Sequence, residues 1–188
     1  MLCSGQHGVP GRVGPQPSTW ETAFTAMFLH ANILGLAVNM IFLGVFGASV
    51  EDGVGRLAFF GFYLGGGVVA LTFQVLLAPD SATPTLGASG AIAAVLGAYI
   101  VLHPHANVRT LVVAIYRLTI VELSAWVVLV SWFALDAILG AVGLSTESGD
   151  SAGVSYYAHW GGFAFGVLVG LALLGRGREQ PRLTEFAA

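Results

Sequence analysis

Residues 57–78 read LAFFGFYLGGGVVALTFQVLLA, an apolar run without a single charge. About 20 such residues, wound as a helix, cross the hydrocarbon core of a bilayer. Runs of the same kind lie on both sides of it. Residues 23–50 form the first. That is long for one upright helix, so residues 23–29 read as an interfacial lead-in and 32–50 as the span. The remaining spans are expected at 86–102, after Pro84, then at 120–142 and 157–174. None contains an interior proline, and none shows the short-period alternation of a barrel strand. In hydrocarbon the backbone must satisfy its own polar groups. The pattern therefore predicts an all-α membrane protein, a polytopic bundle of five helices.

Composition agrees. Of 188 residues, 56% are hydrophobic and 9% are charged, against about 25% charged in soluble domains. Every basic residue is arginine; there is no lysine. The 26 glycines would weaken soluble helices, but in a bilayer small residues let helix backbones approach closely. A net charge of -3 gives no basic surface for nucleic acid, so no nucleic-acid partner is expected. Cys3, the one cysteine, allows no internal disulfide and no cysteine-rich zinc site. The start is rich in glycine and proline and lacks the basic-then-apolar order of a cleavable signal. Three regions follow: a Gly/Pro-rich segment over 1–19, a transmembrane domain over 20–175 and a polar tail over 176–188, expected to be disordered.

The connections alternate in charge. Segments 51–56 and 103–109 and the tail carry Arg56, Arg109, Arg176, Arg178 and Arg182, whereas 80–85 and 145–155 carry no base. The positive-inside rule assigns the first group to the cytoplasm and the second to the outside. The N-terminus, with Arg12 its only base, then lies outside and the C-terminus inside; a bacterial plasma membrane is the expected location. Arg117, near the cytoplasmic entry of the fourth span, fits this orientation. The first, third and fifth spans all enter from outside. Their starts carry His30, Asn32 and Asn39, then Ser89, then His159. Polar groups inside a membrane are costly and mark functional sites by default.

Ser89 lies in Thr85-Leu86-Gly87-Ala88-Ser89-Gly90-Ala91, at the beginning of a helix. The amides there lack acceptors and carry partial positive charge, which suits an oxyanion. The soluble-hydrolase elbow needs glycine where Ala91 stands, so that pattern is absent. Taken alone, Ser89 reads as part of a small-residue packing face. His159, in Tyr157-Ala158-His159-Trp160-Gly161-Gly162, changes the balance. A serine hydroxyl needs a base, and imidazole at the same depth supplies one. Gly162, Gly166 and Gly170 continue that helix at four-residue spacing, a close-packing face. Elsewhere, Glu51 is expected to pair with Arg56 as an anchor. Asp136 and Glu122 read as locally hydrogen-bonded, although an ion path is conceivable for intramembrane acids. His103 and His105 read as solvated, and Trp126, Trp132 and Trp160 as packing or interfacial aromatics.

With these motifs in order, the chain resembles the rhomboid family of intramembrane serine proteases. The resemblance rests on Gly87-Ala88-Ser89-Gly90, on Ala158-His159-Trp160-Gly161-Gly162, and on the stretch from Phe28-Leu29-His30 through Asn39-Met40 to Phe46-Gly47. It also includes Glu51 and Gly55, spaced four and eight residues after Gly47. It implies a serine endopeptidase that cuts transmembrane substrates near the extracytoplasmic face, without metal or cofactor. Ser89 would be the nucleophile and His159 the base, in a dyad without an acid; Asn39 would serve the oxyanion hole. Two departures stand out. The family usually has a histidine four residues before that asparagine, where this chain has Gly35. One oxyanion donor is therefore expected to be missing; a water or His30, nine residues before Asn39, would have to compensate. The family's usual first helix also has no counterpart, so a five-span form is expected, and Trp20-Glu21 stands where the family often has Trp-Arg. The rival reading is a catalytically impaired or inactive rhomboid-like protein that binds membrane clients. A small transporter would leave the paired Ser89 and His159 motifs without a role.

Overall fold

A computed structural model describes residues 19–30, 33–79, 88–114, 117–141 and 156–175. A short helix, α1 (Thr19–Ala26), occupies much of the expected lead-in and ends in a turn. The first long rod follows. It joins α2 (Ile33–Phe42), a π-helical turn (Leu43–Gly47) and α3 (Ala48–Val54). Gly55 ends the rod at φ 86, the one positive φ among the described residues. A side chain at that angle would be strained, which is why glycine serves here. Its amide closes the end of α3 on the Glu51 carbonyl at 2.7 Å. Beside it, Glu51 and Arg56 approach to 3.6 Å, with the arginine side chain 94% exposed. Such a pair contributes little to stability.

Among the described residues four more helices and a hairpin follow: α4 (Arg56–Leu77), α5 (Ser89–Leu102), α6 (Ala125–Ala141), α7 (Tyr156–Gly175), and the strands β1 (Asn107–Ala114) and β2 (Arg117–Ser124) between α5 and α6. Ile33–Val54, Arg56–Leu77 and Tyr156–Gly175 are each long and apolar enough to cross a membrane. Helix α5 and the first part of α6 are apolar but shorter.

Helix α5 is the core, buried from Gly90 to Tyr99. Its small residues explain this. Within lipid no hydrophobic force drives helices together, so close backbone approach must do so. A Cβ at Gly66 would meet that of Ala94 at 2.6 Å, and one at Gly90 would meet that of Ala70 at the same distance. On the other flank, a Cβ at Gly162 would run into the carbonyl of Gly90, and one at Gly166 into that of Ala94. The expected glycine face of α7 is therefore its contact with α5. The π turn packs on α5 through Phe46, whose ring meets Tyr99 edge-on at 4.9 Å. Outward-facing residues such as Ile33 and Leu57 are 85% and 89% exposed, as lipid-facing side chains are.

Two expectations need correction. Residues 120–124 are strand rather than helix, so the fourth apolar helix begins at Ala125. The β-branched Thr119, Ile120 and Val121 prefer extended backbone. They pair antiparallel with Val112, Leu111 and Thr110, and Arg109 stands opposite Glu122. The Ala125 amide bonds the Ala106 carbonyl at 2.8 Å and fixes where the hairpin ends. Second, His103 is buried rather than solvated. Its ring lies 4.9 Å from that of Tyr99. Burial pushes its pKa below the ordinary value, against a hydrogen bond to the Ser49 backbone that raises it. His105 is exposed. The expected loops 80–85 and 145–155, the segment 1–18 and the tail from 176 lie outside the described residues.

Candidate active site

Ser89 is the first residue of α5, and the hydrogen bond from Ile92 N–H to Ala88 C=O, 2.9 Å, is the first turn of that helix. Among the described residues no side chain caps this end. The leading amides of a helix find no acceptor within it, so they remain available to a developing oxyanion. Ser89 is half-buried.

His159 lies three residues into α7 and is 5% exposed. The glycine packing brings it beside the start of α5. A Cβ at Gly90 would stand 3.7 Å from that of Ala158, and Gly162 abuts the Gly90 carbonyl. Ser89 and His159 are the chain neighbours of Gly90 and Ala158, so the two residues lie at one level of the bundle.

A third helix completes the surroundings of the imidazole. Its Nδ1 lies 2.8 Å from Oδ1 of Asp136 on α6, with both side chains below 10% exposed. A carboxylate accepts, so Nδ1 carries the proton and donates it. With Nδ1 as the donor, Nε2 is the ring atom left to act as an acceptor. Nε2 is buried and has no hydrogen-bond partner among the described residues. One helical turn before Asp136, the Trp132 ring lies 5.3 Å from the imidazole and 6.1 Å from Phe42 of α2. One side chain thus touches both the first rod and His159.

Asn39 lies on α2, one turn before Phe42, and its Nδ2 is 2.9 Å from Nε2 of His30. The structure therefore brings Ser89 and His159 to one level, and links the Asn39 face of α2 to His159 through Phe42 and Trp132. Asp136 and Trp132 contact His159, which the sequence did not reveal, because a local bond and generic packing explained them. Depth would have found Asp136. It stands five residues before the end of α6, and His159 three residues after the start of α7. At 1.5 Å per residue these are similar depths at the same end of the bundle.

Against known proteins, a model of the Rhomboid domain matches residues 17–176. The chain belongs to the rhomboid family. It is 33% identical over 147 residues to Rhomboid protein 1, mitochondrial, of Saccharomyces cerevisiae, covering 76% of this chain and 39% of that protein. It is 35% identical over 142 residues to Presenilin-associated rhomboid-like protein A, mitochondrial, of Danio rerio, covering 74% and 34%. Rhomboid-like protein 11, chloroplastic, of Arabidopsis thaliana matches over 73 residues at 40% identity, 39% of this chain and 26% of that one. This rhomboid thus spans little more than a third of the first two relatives. It is a multi-pass helical membrane protein, from a family that in general comprises intramembrane serine proteases and their rhomboid-like kin. The mitochondrial relatives do not fit the expected bacterial plasma membrane, and that expectation is withdrawn.

Proposed function

We propose that this rhomboid is an intramembrane serine endopeptidase. Ser89 is the nucleophile, His159 its base, and Asp136 the group that orients the base. The supporting observation is the 2.8 Å bond from His159 Nδ1 to Asp136, which leaves the Nε2 lone pair for the serine proton. This differs from the dyad that the family resemblance implies, because a buried acid stands behind the histidine.

The chemistry follows from those positions. A substrate helix unwinds beside α6 and presents its scissile carbonyl to Ser89. The serine oxygen forms a bond to the carbonyl carbon as its proton passes to His159 Nε2. The oxyanion takes hydrogen bonds from the Ser89 amide and the Asn39 carboxamide. Collapse breaks the C–N bond, and the imidazolium gives its proton to the leaving amine. Water, deprotonated by His159, then attacks the ester and releases the acid and Ser89. Asp136 stabilises the imidazolium in both halves. Cleavage occurs near the face where α5 and α7 begin, opposite the loops that carry Arg56 and Arg109.

Gly35 favours one other reading, a member that holds membrane clients without cutting them. Reconstitution in liposomes with a transmembrane reporter separates the two. Cleavage by the wild type and none by Ser89→Ala supports the protease. Reporter binding without cleavage supports the client-binding reading.

A further inference from the structure

The contact between His30 and Asn39 spans nine residues, further than the three or four that neighbouring side chains on a helix bridge. It is possible because residues 27–30 are turn and irregular chain, so His30 hangs beside α2 instead of riding on it. Both groups are partly buried. The atoms in contact define what His30 can do. The amide nitrogen of Asn39 can only donate, so in this contact Nε2 accepts and has no proton of its own to offer an oxyanion. His30 is thus not a displaced copy of the histidine donor expected at position 35.

We infer that His30 is a positioning residue for the reaction: it fixes the Asn39 carboxamide so that the second N–H points at the oxyanion. This rests on the protease reading above. A carboxamide has two N–H groups on one trigonal nitrogen, about 120° apart and within one plane. Binding one of them sets that plane and the direction of the other. The face concerned is the relevant one. Asn39 stands one turn before Phe42, whose ring meets Trp132, which in turn lies on His159. Glycine at 35 has no side chain to brace Asn39 from the preceding turn, and His30 does so from outside the helix. An oxyanion donor is effective in proportion to how little it must reorganise, so orienting Asn39 raises kcat and leaves substrate binding alone.

The test is a double-mutant cycle on the full chain in liposomes with a transmembrane reporter, with melting temperatures measured alongside. Asn39→Ala should lower kcat about 100-fold. His30→Phe keeps a ring but no acceptor, and should lower kcat about tenfold with KM within about twofold. His30→Gln, which restores an acceptor, should recover most of that loss. In the Asn39→Ala background, His30→Phe should have less than about a twofold further effect, since its partner is gone. If His30→Phe does not fold, His30→Leu takes its place in the cycle. Losses that multiply in the double variant, a glutamine no better than phenylalanine, or an unchanged kcat would each overturn the inference alone. A wild type that neither cleaves the reporter nor reacts at Ser89 would overturn the protease reading, and this inference with it.

Discussion

Replacing Asp136 by asparagine should damage catalysis more than replacing it by alanine. The Asp136–His159 bond is 2.8 Å long and joins side chains that are 8% and 6% exposed. A hydrogen bond to a charged group, so shielded, contributes about 1.5–3 kcal/mol. At about 1.4 kcal/mol per decade, losing it from the imidazolium-forming step lowers kcat about 10- to 150-fold, the expectation for Asp136→Ala. Asparagine adds a second effect. Its amide donates to Nδ1 and moves the ring proton to Nε2, the atom that must accept from Ser89. In soluble serine proteases that wrong tautomer costs about 10⁴ in kcat, an upper bound here. KM should stay within about twofold, because Asp136 is buried behind His159 and does not face substrate. The assay is steady-state cleavage of a fluorogenic transmembrane reporter in liposomes, with a thermal melt on each variant. An asparagine variant that is folded and within twofold of wild type would refute the role of Asp136. So would a loss confined to KM, or an alanine variant less active than the asparagine one.

Three other outcomes follow from the same account. Gly35→His should raise kcat about tenfold or more by restoring a donor worth up to about 3–4 kcal/mol; no gain in a folded sample would mean that position 35 does not face the oxyanion. Gly166→Ala places a methyl group against the Ala94 carbonyl and should destabilise the fold by about 1–3 kcal/mol, read as a lower unfolding midpoint in detergent. Exposed Gly44, where a Cβ meets nothing, should tolerate the same change. For His103, burial lowers the folded pKa below 6.5, so below that pH the unfolded chain takes up a proton first. Its contribution to stability is therefore complete above about pH 6.5 and declines as pH falls below it. Melting temperatures from about pH 5 to 8 should show that decline, flattened in His103→Asn.

Helical spans were readable because lipid imposes one requirement, a long apolar run, and α4 and α7 meet it along their whole length. Hydropathy does not separate an apolar strand from an apolar helix, which hides the strand that precedes the fourth span. Thr119, Ile120 and Val121 carried the distinguishing signal, their branching at Cβ. The shared level of Ser89 and His159 is legible because small residues surround them at matched helix starts. Asp136 was hidden by its location on a helix of opposite direction, where only a comparison of depths reveals the pairing. The His30–Asn39 contact was unreadable for another reason. It depends on the turn and irregular chain at residues 27–30, whose path no periodicity encodes.

The central claim is that His159, with its proton held on Nδ1 by Asp136, makes Ser89 a nucleophile. A fluorophosphonate probe reacts with a serine only when it is so activated, so labelling of the purified chain followed by peptide mass analysis tests it directly. The account predicts one adduct, on Ser89, lost in His159→Ala and slowed about 10-fold or more in Asp136→Ala. A folded wild type that stays unlabelled while an active serine protease in the same detergent is modified, or an adduct that forms equally well without His159, would contradict it.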